Sequence, residues 1–139
     1  MLFAMHFSIE PGEGYLRAEL VERETGGETR EFLEALAAEC LRRGLSSVLI
    51  CVRASRPIFR VEQYRASFYL QELACRPDYR VALVASRPDI RAAHEYLEVL
   101  AGQHGAHLRS FSHEAMAIEW LRSAKRVARE TQRRPAKSP

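Results

Sequence analysis

His104, His107 and His113 fall within ten residues of one another, with His94 upstream, and imidazoles that close together raise metal chemistry first. A zinc site draws its ligands from spacings that one turn or helix can converge, such as a helical i, i+4 pair. That spacing is missing: His104 ends a helix, His107 enters a strand and His113 opens another helix, so no metal site is expected. Glu95 and Glu98 resemble a carboxylate pair for acid–base work, yet Arg91 precedes Glu95 by four residues on the same helical face, and surface ion pairing accounts for them. A serine or cysteine nucleophile has no support either, because there is no G-x-S-x-G elbow and Cys51 falls in the middle of a strand. Gly12-Glu13-Gly14 and Gly26-Gly27 lack the Walker and Rossmann spacings. The chain therefore reads as non-enzymatic, with no catalytic residue and no cofactor.

Binding chemistry has a better candidate in the loop from Arg53 to Arg60. Ile58 and Phe59 stand there between Arg56 and Arg60, just beyond the C-terminal end of a parallel strand, where open α/β sheets form their ligand crevices. Apolar side chains rimmed by positive charge suit an acidic lipid, a fatty-acid-like ligand or a protein partner. With Tyr64 on the following helix, the expected contact surface comprises Arg53, Ser55, Arg56, Ile58, Phe59, Arg60 and Tyr64.

The elements that must position this loop follow from periodicity. Phe3, Met5, Phe7 and Ile9 alternate with polar or small residues, as in a half-buried strand. Pro11-Gly12-Glu13-Gly14 is turn chemistry, and Tyr15 to Val21 alternates again through Leu16, Ala18 and Leu20, completing an antiparallel hairpin. Thr29 is placed to cap a helix carrying Phe32, Leu33, Leu36, Ala37, Cys40 and Leu41, with Gly44 as its stop. The runs 48–52 and 81–85 are apolar without alternation, the mark of strands covered on both faces.

Between those runs the pattern predicts a helix near residues 61–75, with Val61, Tyr64 and Phe68 on one stripe and Ala66, Tyr69, Leu70 and Leu73 on its neighbour, ended by Pro77. Pro88 opens a third helix that buries Ile90, Ala93, Leu97, Leu100 and Ala101 and stops near Gly105. A strand at 107–111 and a helix capped by Ser112, packing through Ala115, Ile118, Trp120 and Leu121, complete the order β-β-α-β-α-β-α-β-α. This order is an α/β domain with one mixed sheet, an antiparallel N-terminal hairpin, parallel central strands and four helices.

One domain is the expectation for 139 residues. No basic leader or long apolar run opens the chain, so a cytoplasmic location without a membrane span is expected. Three cysteines without a close-spaced pair suit a reducing compartment and buried thiols. The net charge of +3 hides an asymmetry: residues 122–139 hold seven Lys or Arg against one Glu, a local +6 that leaves −3 for the rest. A domain over 1–123 is thus followed by a basic tail over 124–139, partly disordered, with Thr131 onward the least structured. The aromatic residues fall in core positions and offer no stacking platform, so specific nucleic-acid binding is not expected.

The order resembles the STAS domain, the fold of anti-sigma-factor antagonists, and the residue pattern is similar to the SpoIIAA-like family, whose fold also resembles CRAL-TRIO lipid carriers. The residues that carry the resemblance are Val48-Leu49-Ile50 before a polar loop, Glu62 and Tyr64, Arg80-Val81-Ala82-Leu83-Val84, Gly105 through Phe111, and Ala117 ahead of Trp120-Leu121. The resemblance implies a regulatory domain acting through protein–protein contact, possible as a homodimer, or alternatively a carrier or sensor of a small apolar ligand. It also places Ser55 close to the phosphorylated Ser or Thr of the antagonists. Here, however, Arg53 and Arg56 flank Ser55 and Pro57 follows, in place of the antagonists' acidic and small neighbours.

Overall fold

A computed structural model of the chain describes the backbone of residues 6–21, 26–55 and 63–133, and the side chains of 6–21, 27–55 and 68–123. It is an α/β domain with one five-stranded mixed sheet in the order β1-β2-β3-β4-β5. The strands are β1 (His6–Pro11), β2 (Leu16–Val21), β3 (Ser47–Arg53), β4 (Arg80–Val84) and β5 (Leu108–Phe111). The helices are α1 (Gly26–Arg43), α2 (Gln63–Ala74), α3 (Pro88–His104) and α4 (Glu114–Arg133).

β1 pairs antiparallel with β2, and the three remaining pairings are parallel. The hairpin between β1 and β2 closes where the Gly12 amide donates to the Tyr15 carbonyl at 2.7 Å. Tyr15 lies so close over Gly12 that a β-carbon there would stand 2.6 Å from the ring. From β2 onward each crossover steps to the next strand in the same direction. Crossovers of one hand then place their helices on one face of the sheet.

Strand alternation divides the core accordingly. Leu16, Ala18, Leu20, Val48, Ile50 and Val52 point to one face, where Phe32, Leu36 and Cys40 of α1 and Ile90 of α3 meet them. Leu49, Cys51, Ala82 and Val84 point to the other, covered by Ala117 and Leu121 of α4. α2 packs chiefly against α3, where Leu70 clusters with Ala101 of α3 and with Ala106 of the turn that follows it. Phe7 on β1 meets Phe32 edge to face, with ring centroids 5.4 Å apart.

Several helical expectations shift in detail. α1 begins at Gly26, so Thr29 lies inside the helix instead of capping it, and Leu41 is 80% exposed because the core-facing stripe runs through Phe32, Leu36 and Cys40. Phe68 on α2 is 56% exposed, since that helix turns Leu70 and Leu73 toward α3. Ala115 is exposed and Ala117 takes its place against the sheet. α4 continues to Arg133, well past the end of its large apolar residues; the Ala, Arg, Lys, Glu and Gln that fill this stretch are good helix formers. Phe3 and Met5 lie outside the described residues, as do residues 134–139. Among the described residues no helix is long and apolar enough to cross a membrane.

α4 is also tied to β2 by charge. Arg17 Nε donates to Glu114 Oε1 at 2.5 Å and Nη2 to Oε2 at 3.2 Å, while Nη1 reaches Glu19 at 3.1 Å. The Arg17 hydrogen bonds hold the Glu114 carboxylate below its ordinary range, and the Glu114 hydrogen bond raises Arg17 in turn. Both side chains are partly exposed, at 25% and 36%, so the pair contributes about 1 kcal/mol at most. A carboxylate whose folded pKa is lowered stabilises fully above its unfolded value of about 4.3 and loses that contribution as pH falls through the folded value. Arg17→Met should therefore cost about 0.5–1 kcal/mol in urea titrations at pH 7 and nothing at a pH where Glu114 is protonated in both states. An equal cost at both pH values would show that packing, not charge, is lost.

Candidate functional site

The helical face of the sheet does not close completely. Between α1, α2, α3 and the strands lies a cavity of about 300 Å³. Its floor is formed by alternate strand residues, among them Leu20, Val48, Ile50 and Leu83. Phe32, Leu33 and Leu36 of α1 form one wall, and Leu70 and Leu73 of α2 with Ala93 and Leu97 of α3 form the other. The space follows from how the helices are held. α1 leans on β1 and β2 while α2 leans on α3, so neither caps the middle of the sheet.

Polar groups reach this space at a few points. Arg76 and Tyr79, in the turn that leads from α2 into β4, line it together with Glu72 and Tyr69. The Arg76 guanidinium lies over the Tyr79 ring, 5.5 Å from its centroid, and the Tyr79 amide donates to the Arg76 carbonyl at 3.0 Å. His94 of α3 is 4% exposed and lines the cavity from the opposite side. Cys40 of α1 also borders it; burial pushes its thiol up, partly offset by the charge of Arg76. The arrangement suits a small apolar molecule carrying one polar or anionic end.

The loop expected to form the contact surface divides differently. Arg53 ends β3 on the opposite face from the cavity, its Nε 3.3 Å from Glu19 and its side chain 63% exposed. Ser55 is only 2% exposed, so the structure places it inside and not on an open loop. Ala54, at φ 47, turns the chain just before it. The Ser55 hydroxyl donates to the Arg53 carbonyl at 3.0 Å, and the Ser55 carbonyl accepts from Arg87 at 3.4 Å. The hydroxyl is thus engaged within its own turn. Arg56, Ile58, Phe59 and Arg60 lie outside the described residues, and Tyr64 is described only as a backbone position on α2.

The cavity residues that periodicity left without a role are legible afterwards. His94 stands four residues after Ile90 and three before Leu97, on the apolar stripe of α3, where an imidazole among buried neighbours signals an inward position. Arg76 and Tyr79 carry no such signal, because they sit in an irregular turn. Glu98, expected as a solvated surface charge, instead accepts from the Ser110 amide at 2.6 Å and its hydroxyl at 3.1 Å, fastening α3 to β5. Arg91 and Glu95 do pair, at 3.7 Å.

The thiols are not equivalent. Cys40 and Cys51 are buried, whereas Cys75, expected inside, is exposed after the end of α2. Burial, then the negative charge of Glu114, pushes the Cys51 thiol up to about 11. A disulfide-exchange reagent at pH 8 should therefore titrate one thiol in the folded chain and all three in denaturant. Rapid reaction of a second thiol without denaturant would contradict this burial.

Among the described residues no group of three or more His, Cys, Asp or Glu is placed to hold a metal ion. No protein-family model matches the chain, and no curated protein matches it.

Proposed function

We propose that the chain is a non-enzymatic binding domain of the STAS-like, SpoIIAA-like type, in which a small apolar ligand occupies the space between α1, α2, α3 and the sheet. The single observation that carries the reading is the apolar cavity of about 300 Å³. Packed cores leave few voids larger than a water molecule. At about 30 Å³ per water-sized group, the space takes roughly ten non-hydrogen atoms. A STAS-like assignment is supported by the strand order, with the antiparallel strand first and each parallel strand following its predecessor.

Arg76 supports a ligand with an anionic end, the aliphatic part lying along Ile50, Leu83 and Leu97. Ligand occupancy would then tie α1 to the α2–α3 pair, a differential contact of the kind that lets a sensor domain respond to its ligand. Action through a protein partner is the second reading, and Leu41 and Phe68, both exposed on helices that wall the cavity, favour it. The two combine in a domain that reports its ligand to a partner. Native mass spectrometry of the chain purified gently from its own cells tests the ligand reading. A small compound retained in the folded chain and lost on denaturation is the expected result; bare protein throughout, and no uptake of medium-chain carboxylic acids, would refute it.

A further inference from the structure

We infer that the outer edge of β1 is a docking surface for a second copy of this chain, the two β1 strands pairing antiparallel about a two-fold axis at Ser8. β1 and β5 are the two edges of the sheet, and an open edge is a template for another strand. β5 is guarded. The Val81 amide donates to the His107 carbonyl and the Ala85 amide to that of Phe111, so the odd-numbered residues of β5 serve β4 and the Ser110 amide points away. That outward donor is taken by the Glu98 carboxylate at 2.6 Å. β1 has six residues to the four of β5, and among the described residues no strand or side chain closes its outer edge.

The hairpin fixes which groups of β1 face outward. Gly12 donates to Tyr15, and hydrogen-bonded pairs alternate with non-bonded ones along an antiparallel ladder. Glu10 opposite Arg17 and Ser8 opposite Glu19 therefore bond to β2, while Phe7 and Ile9 turn their amides and carbonyls outward. Pro11 faces outward too, where its missing N–H breaks no bond to β2. Setting Ser8 against Ser8 places Phe7 opposite Ile9 of the second copy, and every outward amide and carbonyl of these two residues is then paired. Setting Ile9 against Ile9 would oppose Phe7 to Pro11 and leave the Phe7 carbonyl without a donor. Setting Phe7 against Phe7 would place His6 opposite Ser8 and lose a charge pairing that the Ser8 register makes twice. In that register the His6 imidazole meets the Glu10 carboxylate at each end, a donor against an acceptor, both exposed on one face of the sheet. On the other face Phe7 and Ile9, each half-buried against the α1 side of the core, cover one another. Neither lines the cavity, so pairing and ligand binding are separable.

The test is sedimentation velocity of the full chain over a range of concentrations, in which the mass should rise from one chain to two. Ser8→Cys, in a Cys75→Ser background that removes the exposed thiol, should form a disulfide-linked dimer under mild oxidation, because the opposed pair at the axis has Cα atoms about 4.5 Å apart. Glu10→Cys in the same background stands roughly 13 Å along the strand from its counterpart and should not. Glu10→Lys should weaken association about tenfold, since both charge pairs are lost together, and adding His6→Glu should restore it. Both of these variants carry the same change beside Arg17 of β2, so recovery reports the interface and not the fold. A chain that stays monomeric at every concentration would overturn the proposal. So would a Ser8→Cys variant that links no better than Glu10→Cys, or a double variant no tighter than Glu10→Lys alone.

Discussion

Ala93→Phe abolishes uptake of a small apolar ligand while leaving the fold in place. Ala93 is 4% exposed on α3 and faces the cavity, so a benzyl group at this position projects into existing space. In a closed core the same enlargement costs about 1–3 kcal/mol by overpacking. Here the cost should be near zero, and filling the void should raise rather than lower the thermal midpoint of the empty chain. Affinity for a medium-chain carboxylic acid, measured by calorimetry, should drop at least tenfold. A variant that binds as well as the parent would place the ligand elsewhere; one that unfolds would show that the space is filled already.

Leu121→Ala acts on the opposite side of the sheet and by a different mechanism. Leu121 is 1% exposed and packs with Leu49, Cys51, Ala82 and Val84, a large residue by which α4 holds the strands. Truncating a buried leucine costs about 2–5 kcal/mol through lost transfer energy and the cavity left behind. The thermal midpoint should fall by roughly 10 °C in a domain of this size. Ligand affinity at low temperature should be unchanged, because the candidate cavity lies across the sheet. A fall below about 1 kcal/mol in urea titrations would mean that α4 is not anchored as described.

These two expectations rest on parts of the molecule that differ in how far the sequence reveals them. The strands were legible because their signals are local. Leu16, Ala18 and Leu20 alternate, and Val48 to Val52 run apolar without a break, so each pattern fixes one or two covered faces. Strand order and the segregation of α4 follow from short crossovers of uniform hand. What periodicity could not show is how closely two helices on one face approach each other. The same stripe that placed Leu36 and Cys40 inside also placed Leu41 there, and only the tilt of α1 decides among them.

The site was less legible for the same reason. A cavity is a property of the space between elements, and Phe32, Ile50 and Leu83 would present the same pattern in a closed core. The loop from Arg53 drew attention through charge, yet a strand's alternation puts Arg53 on the α4 side with Glu19, away from the cavity. Ser55 falls in the loop after β3, where an outward position is the default; the positive-φ turn at Ala54 that precedes its buried position has no glycine to announce it.

Methyl-resolved NMR during titration with a roughly ten-carbon fatty acid tests the central claim most directly, since the two faces of the sheet carry separate sets of methyl groups. Val48, Ile50, Leu83 and Leu97 should shift progressively to saturation, while Leu49, Val84 and Leu121 hold their positions. Shifts absent from the first set, or equal in both, would contradict a ligand site between the helices and the sheet.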